Sequence, residues 1–270
     1  MKLRFNLLAG GSVMAIVAIA ALTALVWTPH DPLALSFTTR LKPPGSAFPF
    51  GTDEFGRDLL SRLMAGAGPS LGISLLAVLT ALTIGITLGV VSGYWRGWPD
   101  RLLMMVTDAL MAFPGILLAL GLLAILGAHM RGIVLALGLA FAPAVARIMR
   151  GTVISVRERE FVDASRLMGN SELFTLARHV LPNCLAPIIV LATSMMGWAL
   201  LAESALSFLG LGLAPPAPTW GNMLSASRTF LSQAPWLGIF PGLAISLTLL
   251  AMNLLGDGLR DLLDPRMRGL

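Results

Sequence analysis

The sequence predicts an all-α, polytopic membrane protein with six transmembrane helices. Hydrophobic residues make up 56% of the chain and charged residues only 12%, with a mean hydropathy of +0.81. A soluble domain carries about 25% charged residues, so this composition excludes an ordinary water-soluble protein. The apolar stretches are long enough for the ~20 residues that a membrane span needs, and polar segments rich in glycine and proline separate them.

The N-terminal part predicts one span and one exposed segment. Residues 1–27 combine Lys2 and Arg4 with an apolar run, which predicts a short cytoplasmic end and the first span. A cleaved signal peptide is the alternative, although the run exceeds the ~7–15 apolar residues of a typical leader. Residues 28–68 are predicted to be extracytoplasmic, with Thr52 capping a helix whose first turn carries the acidic residues 53 and 54.

The other five spans are predicted within a core at residues 69–257. Their apolar stretches lie at 69–93, 102–126, 132–149, from about 184 to beyond 203, and 236–255. Pro114 is predicted to kink the third span. Residues 258–270 are predicted to form a short cytoplasmic tail.

Six spans put both termini on one side of the membrane. Most of the 19 Lys and Arg residues then lie on that side. Those on the other side are Arg40, Lys42, Arg57, Arg62, Arg131 and Arg228. Because basic residues concentrate in cytoplasmic loops, we expect both termini in the cytoplasm. The positions of the basic residues account for the net charge of +5, so no nucleic-acid partner is expected.

The loop at residues 151–183, here called the knob, contains the longest charged run of the chain at 157–160. The pattern that follows predicts a short amphipathic helix. One face of that helix is predicted to hold Phe161, Ala164, Ser165 and Met168. The opposite face is predicted to hold Arg159, Asp163 and Arg166.

Gly169 is predicted to end this helix, and a second helix is predicted to run until Pro182 stops it. The predicted apolar positions of the second helix are Leu173, Leu176, Ala177 and Val180. Two short helices hinged at a glycine make a compact element. The alternative is a solvated connector, supported by ion pairs worth roughly 0.2–0.5 kcal/mol each.

The spacing of three groups in the knob matches a known motif. Asp163-Ala164-Ser165 is followed by Gly169 and then by Leu181-Pro182. In that register the knob resembles the EAA loop of ABC-type import permeases, whose motif begins Glu-Ala-Ala. Asp163, Ser165 and His179 depart from it, although the segment around His179 is similar to the variant in peptide and nickel permeases.

Other segments resemble the peptide and nickel importer family more narrowly. Residues 51–58, Gly-Thr-Asp-Glu-Phe-Gly-Arg-Asp, resemble its Gly-Thr-Asp-x-x-Gly-Arg-Asp signature. Segments 208–212, 220–223 and 253–261 resemble its C-terminal signatures. The resemblance implies a type I ABC importer permease fold and the role of the "C" permease of a dipeptide or oligopeptide system.

The resemblance also implies partners and a docking element. A homologous permease would pair with this chain in the bilayer, with two cytoplasmic ATPase subunits and an extracytoplasmic solute-binding protein. The ATPase-docking residues would be Asp163, Ala164, Ser165, Gly169, Leu181 and Pro182. We expect small residues to permit close approach, Gly169 to set the bend and Asp163 to orient the helix.

The chain shows no enzyme motif and no expected cofactor. It contains no phosphate-binding Gly-x-x-x-x-Gly-Lys-Ser/Thr loop, so ATP and Mg²⁺ would belong to the partner ATPases. His30, His129 and His179 fall on both sides of the predicted membrane, which argues against a shared metal site. The single Cys184 excludes an intrachain disulfide.

Acidic residues in or near the spans are the candidates for a translocation path, because such charges usually face a bundle interior or water. Asp108 and Glu203 are predicted for that role, with a hydrogen bond to a partner helix as the alternative for Glu203. Asp257 is interpreted as structural.

Other functions remain open at this point. A secondary transporter would show inverted repeats, and an intramembrane hydrolase would show a catalytic serine or paired aspartates; neither pattern is evident. A structural scaffold and a nickel or metallophore permease of the same family are further alternatives.

Overall fold

The chain folds into a helical bundle, seen here in a computed structural model that describes residues 2–263. The helices are α1 (Lys2–Thr23), α2 (Leu59–Trp95), α3 (Trp98–Met111), α4 (Gly115–Leu126), α5 (Met130–Arg157), α6 (Glu160–Leu167), α7 (Glu172–Thr175), α8 (Leu181–Phe208), α9 (Trp220–Ser227) and α10 (Trp236–Leu263). Short 3₁₀ turns occupy Phe37–Thr39 and Arg228–Phe230, and a π-helical turn occupies Leu176–Val180. Residues 264–270 of the predicted tail, including Arg266 and Arg268, lie outside the described residues.

Within residues 2–263, five helical stretches are long and apolar enough to cross a membrane. They are α1, α2, α5, the run from α7 through α8, and α10. The pair α3 and α4 supplies the sixth crossing when it is counted as one broken span. These two helices are bent by 96°, so the kink predicted at Pro114 is a sharp break. Pro114 lacks an N–H and its ring crowds the preceding turn, which explains why the helix stops there.

The second span begins ten residues earlier than predicted, and the predicted cap is wrong. Asp58, not Thr52, caps α2, and its carboxylate accepts a hydrogen bond from the Ser61 N–H at 3.0 Å. Thr52 is buried in the extracytoplasmic segment, where its hydroxyl accepts from the Lys42 N–H at 2.8 Å. Pro69 lies inside α2, as packed membrane helices tolerate.

The closest helix contact is between α2 and α5. Gly85, Gly89 and Gly93 recur every four residues on α2 and therefore share one face. A β-carbon at Gly85 would lie 2.4 Å from the Val145 β-carbon, and one at Gly89 would lie 2.6 Å from the Ala146 carbonyl oxygen. Small residues let membrane helices approach closely, so α2 and α5 pack backbone against backbone.

The remaining helices pack around this pair. α1 lies along α10, where a β-carbon at Gly10 would be 2.7 Å from the Ala251 carbonyl oxygen. The short helix α9 is fixed to α2 because the Trp220 indole donates to the Leu63 carbonyl oxygen at 2.9 Å. Trp220 thereby joins a buried cluster with Leu59 and Leu237, and a second buried cluster lies beneath the knob.

Candidate functional site

The knob is a continuation of two membrane helices. α5 extends to Arg157, eight residues beyond the predicted end of the fourth span. After α6, Gly169 adopts φ +82°, which is the left-handed conformation that glycine reaches without strain. The chain then returns through α7 and the π-helical turn into α8, so the predicted hinge lies where two short helices meet.

Pro182 does not stop the second knob helix, contrary to the prediction. The helical run continues from Glu172 to Phe208. In the π-helical turn the Leu181 N–H donates to the Leu176 carbonyl oxygen, five residues earlier. Pro182 then stands in the first turn of α8, where a missing N–H is tolerated. The knob is thereby joined to the fifth span without a break.

The buried face of α6 also differs from the predicted one. Val162 and Ser165 are buried, whereas Phe161, Ala164 and Met168 are exposed. Val162 enters a cluster with Tyr94 of α2 and Met149 of α5.

The interior of the knob is held by a small hydrogen-bond network. The hydroxyls of Ser165 and Thr175 lie 3.0 Å apart, and the Asn170 side-chain amide donates to Ser165 at 3.1 Å. Ser165 is therefore an internal tie between the two knob helices rather than a surface contact.

The surface of the knob exposes several large apolar side chains among charged residues such as Arg159 and Glu160. Its large exposed side chains, here called the apolar cap, are Phe161, Leu167, Met168, Leu173 and Phe174. The exposed fraction reaches 88% for Leu167 and 73% for Met168. Contiguous exposed apolar surface of this kind marks a site of protein or membrane interaction.

Two helices of the bundle hold the knob by polar contacts. The Tyr94 hydroxyl, at the end of α2, donates to the Glu172 carboxylate. The Arg166 guanidinium lies 3.2 Å from the same carboxylate. The Arg157 guanidinium donates to the Tyr94 carbonyl oxygen.

These contacts shift the proton affinity of Arg166. Burial lowers the pKa of Arg166, but its hydrogen bonds to Tyr94 and Glu172 outweigh burial and the pKa is raised. Arg166 therefore stays charged at any physiological pH.

The comparisons with known proteins agree with this geometry. The family model for the inner membrane component of binding-protein-dependent transport systems matches residues 85–269, which include the whole knob. The chain belongs to this family. It is accordingly a multi-pass inner membrane protein and a transport component.

Relatives of this permease carry names from peptide transport. A Brucella suis biovar 1 protein, provisionally named a peptide transport system permease protein, is 46% identical over 94% of this chain and 86% of its own. The dipeptide transport system permease protein DppC of Alkalihalophilus pseudofirmus is 45% identical over 86% of this chain and 76% of its own. The glutathione transport system permease protein GsiD of Pectobacterium atrosepticum is 42% identical over 96% of this chain and 86% of its own.

A solved structure shows the same fold. A chain of the MetNI methionine ABC transporter, in inward-facing conformations, matches with a TM-score of 0.62 at 15% identity and covers 74% of this chain and 94% of its own. The permease therefore has the type I ABC importer permease fold.

The two acidic path candidates occupy different environments in the permease. Glu203 is fully buried inside its own chain, where its carboxylate accepts from the Ser207 hydroxyl at 2.7 Å. It faces neither an open path nor a surface that a partner helix could reach. Asp108 is more than half exposed and pairs with Arg147 of α5.

Several important contacts were missed at the sequence level. Tyr94 is the single tyrosine of the chain, and nothing in the sequence indicated its contact with the knob. The pairing of Tyr94 with Glu172 joins residues 78 positions apart. No local spacing could reveal it, because the pair forms only after α2 and the knob have packed together.

Proposed function

We propose that this permease is one of two membrane subunits of an ATP-driven peptide importer, and that the knob docks into an ATPase subunit. A homologous permease completes the membrane pair, two ATPase subunits bind from the cytoplasm, and a solute-binding protein delivers the peptide from outside. ATP and Mg²⁺ belong to the ATPases in this arrangement, since this chain carries no phosphate-binding loop.

The observation that carries the proposal is an apolar cap on an element rigidly joined to the membrane bundle. The cap is exposed on α6 and α7, while Val162 and Leu176 beneath it belong to the same buried cluster as Tyr94 and Met149. A partner that covers the cap therefore pushes on α2, α5 and α8 together. An apolar surface with a polar rim suits a protein partner.

Transport follows if the ATPases have two states with different docking geometry. Closure of the ATPases on ATP displaces the knob, and the displacement passes directly into α5 and α8 because both helices continue into it. Binding alone shifts nothing; the ATPase must favour one conformation of the permease over the other.

The proposed orientation puts both termini and the knob in the cytoplasm. Arg157, Arg159, Arg166 and Arg178 all lie in the knob. This concentration of basic residues supports a cytoplasmic knob.

The proposed cargo is a short peptide. The relatives named above are assigned to peptide, dipeptide and glutathione transport, and these cargoes share amide-linked amino acids.

The test of docking is co-purification of the ATPase subunits from membranes. Leu167→Glu combined with Met168→Glu places two charges on the apolar cap. We expect the variant permease to insert normally but to lose its ATPase subunits. Phe37→Glu is the matched control, because Phe37 is 75% exposed in the segment on the opposite side of the bundle. Retention of the ATPases by the cap variant would contradict the proposed docking surface.

A further inference from the structure

Two ion pairs join the broken span to the helix that leads into the knob. Nε and Nη2 of the Arg150 guanidinium donate to the two oxygens of the Asp100 carboxylate, at 2.6 and 2.8 Å. Arg147, one turn away on α5, pairs with Asp108. The family motifs recognised in the sequence include none of these four residues.

The spacing of the two ion pairs shows how α3 is held on α5. The two acidic residues are eight positions apart on α3, or about 12 Å along a helix, whereas their arginine partners are three positions apart on α5, or about 4.5 Å. The arginine side chains therefore spread apart to reach their partners, and the two ion pairs fasten α3 to α5 near both ends of α3. Its outward face carries exposed apolar side chains, Trp98, Met105 and Val106.

The far end of α3 leads to the break and to a cavity. After Pro114, α4 starts at Gly115 at 96° to α3. Gly115 and Ile116 line an apolar cavity of about 400 Å³, together with Phe141 of α5 and Trp198 of α8. The broken span thus has the ion pairs on one side of its break and the cavity on the other.

α5 is suited to carry movement to α3. It packs backbone against backbone on α2 along the glycine row, and its cytoplasmic end is the start of the knob. Arg147 and Arg150 lie seven to ten residues before Arg157, the last residue of α5, or roughly 10–15 Å along that helix. A displacement of the knob therefore reaches these arginines through one continuous helix.

We propose that Arg147 and Arg150 are positioning residues that transmit the movement of the knob, through Asp108 and Asp100, to the break at Pro114 and so to the cavity. This inference rests on the proposed function, since the movement originates in the ATPases. Partly exposed ion pairs contribute little to stability, so their loss is expected to impair transmission rather than folding.

The experiment follows the cavity directly and needs no knowledge of the cargo. In the complete importer, Ile116→Cys is placed in a Cys184→Ser background and its reaction with N-ethylmaleimide is timed with and without vanadate-trapped nucleotide. We expect the labelling rate to differ between the two states by about fivefold or more, the scale of a typical coupling free energy. Ile125→Cys, at the exposed far end of α4, is the control and should label equally in both states.

Removing the ion pairs tests whether they transmit the movement of the knob or only hold α3 in place. With Asp100→Asn and Asp108→Asn together, the state dependence at position 116 should disappear while ATP hydrolysis continues. Exchanging the two charges of one pair, by Asp108→Arg with Arg147→Asp, should restore the state dependence of labelling. State dependence that persists without the ion pairs, or that is absent from the unaltered importer, overturns the inference.

Two further outcomes keep the inference distinct from the proposed function. If the doubly neutralised variant does not assemble, the exchanged pair decides alone, and its failure to show state dependence also overturns the inference. If the unaltered permease never co-purifies with ATPase subunits, the proposed function has failed instead.

Discussion

The Tyr94 hydroxyl donates a hydrogen bond to the Glu172 carboxylate and so ties the end of α2 to the start of the second knob helix. The contact gives the knob a third attachment besides its covalent links to α5 and α8. A lever transmits displacement only if it is rigid, and this contact restrains the knob from rotating about those two links.

Tyr94→Phe should loosen the knob without removing the aromatic packing. Hydrogen bonds to charged groups contribute about 1.5–3 kcal/mol, so we expect local opening and faster tryptic cleavage at the knob arginines. Glu160→Gln is the control, since Glu160 is an exposed carboxylate of the same element. Equal cleavage rates for Tyr94→Phe and the unaltered protein would show that the contact does not restrain the knob.

A larger side chain at position 169 should fit the free permease, provided that the new residue adopts a positive φ without strain. A β-carbon there would meet no heavy atom within 4 Å, yet φ is +82°. Gly169→Asn suits the left-handed conformation, whereas Gly169→Ala costs about 1–2 kcal/mol. Thermal unfolding should therefore rank Ala below Asn.

Peptide uptake by two other variants, at Gly169 and Ala164, tests docking at the hinge. We expect Gly169→Asp, or a bulky residue at Ala164, to leave membrane insertion intact and to abolish uptake, because each intrudes on the docking surface. Normal uptake by both variants would refute the assignment of these two residues to docking.

The α2–α5 contact should be sensitive to one added methyl group. A β-carbon at Gly89 would lie 2.6 Å from the Ala146 carbonyl oxygen and 3.0 Å from the Arg150 backbone nitrogen. Because backbone atoms cannot turn aside, Gly89→Ala should cost about 1–3 kcal/mol and lower the midpoint temperature of the detergent-purified protein. Gly72→Ala on the same helix is the control, since nothing lies within 4 Å of that position. Equal midpoints for the two variants would contradict the close approach.

The charge of Glu54 should destabilise the segment that precedes α2. Its side chain is only 16% exposed, and burial, helped by the nearby Asp53 charge, raises the pKa of Glu54 above its ordinary value of 4.5 despite Arg57 and Arg62. An acid with a raised pKa in the fold favours folding below its ordinary pKa, and that contribution is lost as pH rises through the folded value. Stability should therefore fall with rising pH for this group.

Glu54→Gln isolates that contribution. The variant should unfold at a higher temperature than the unaltered protein at pH 8, and the difference should vanish near pH 4, where Glu54 is protonated. A lower midpoint for the variant at pH 8 would mean that the contact with Arg57, at 3.4 Å, outweighs the cost of burial.

The local features of this protein were determined by the sequence alone. Long apolar runs predict the spans because a bilayer core leaves the backbone no partner except itself. Pro114 predicts a break and Gly169 a hinge, because each residue restricts or frees its own backbone whatever surrounds it. The spacing from Asp163 to Pro182 matched a family motif, and that resemblance indicated the proposed docking element.

Only the tertiary structure decided which apolar side chains of the knob face inward. Phe161 and Met168 were predicted to share one face with Ser165, yet Ser165 is buried beside Val162 and both of them are exposed. Helical periodicity identifies the faces of a helix but not which face packs against α2. A knob helix that also binds a partner is apolar on both faces. The burial of Glu203 depended in the same way on packing. The cap of α2 at Asp58 and the π-helical turn before Pro182 are local contacts that the sequence patterns did not predict. The ion pairs of Arg147 and Arg150 likewise form only because α3 packs on α5. Local spacing in the sequence cannot predict contacts between residues 39 or 50 positions apart.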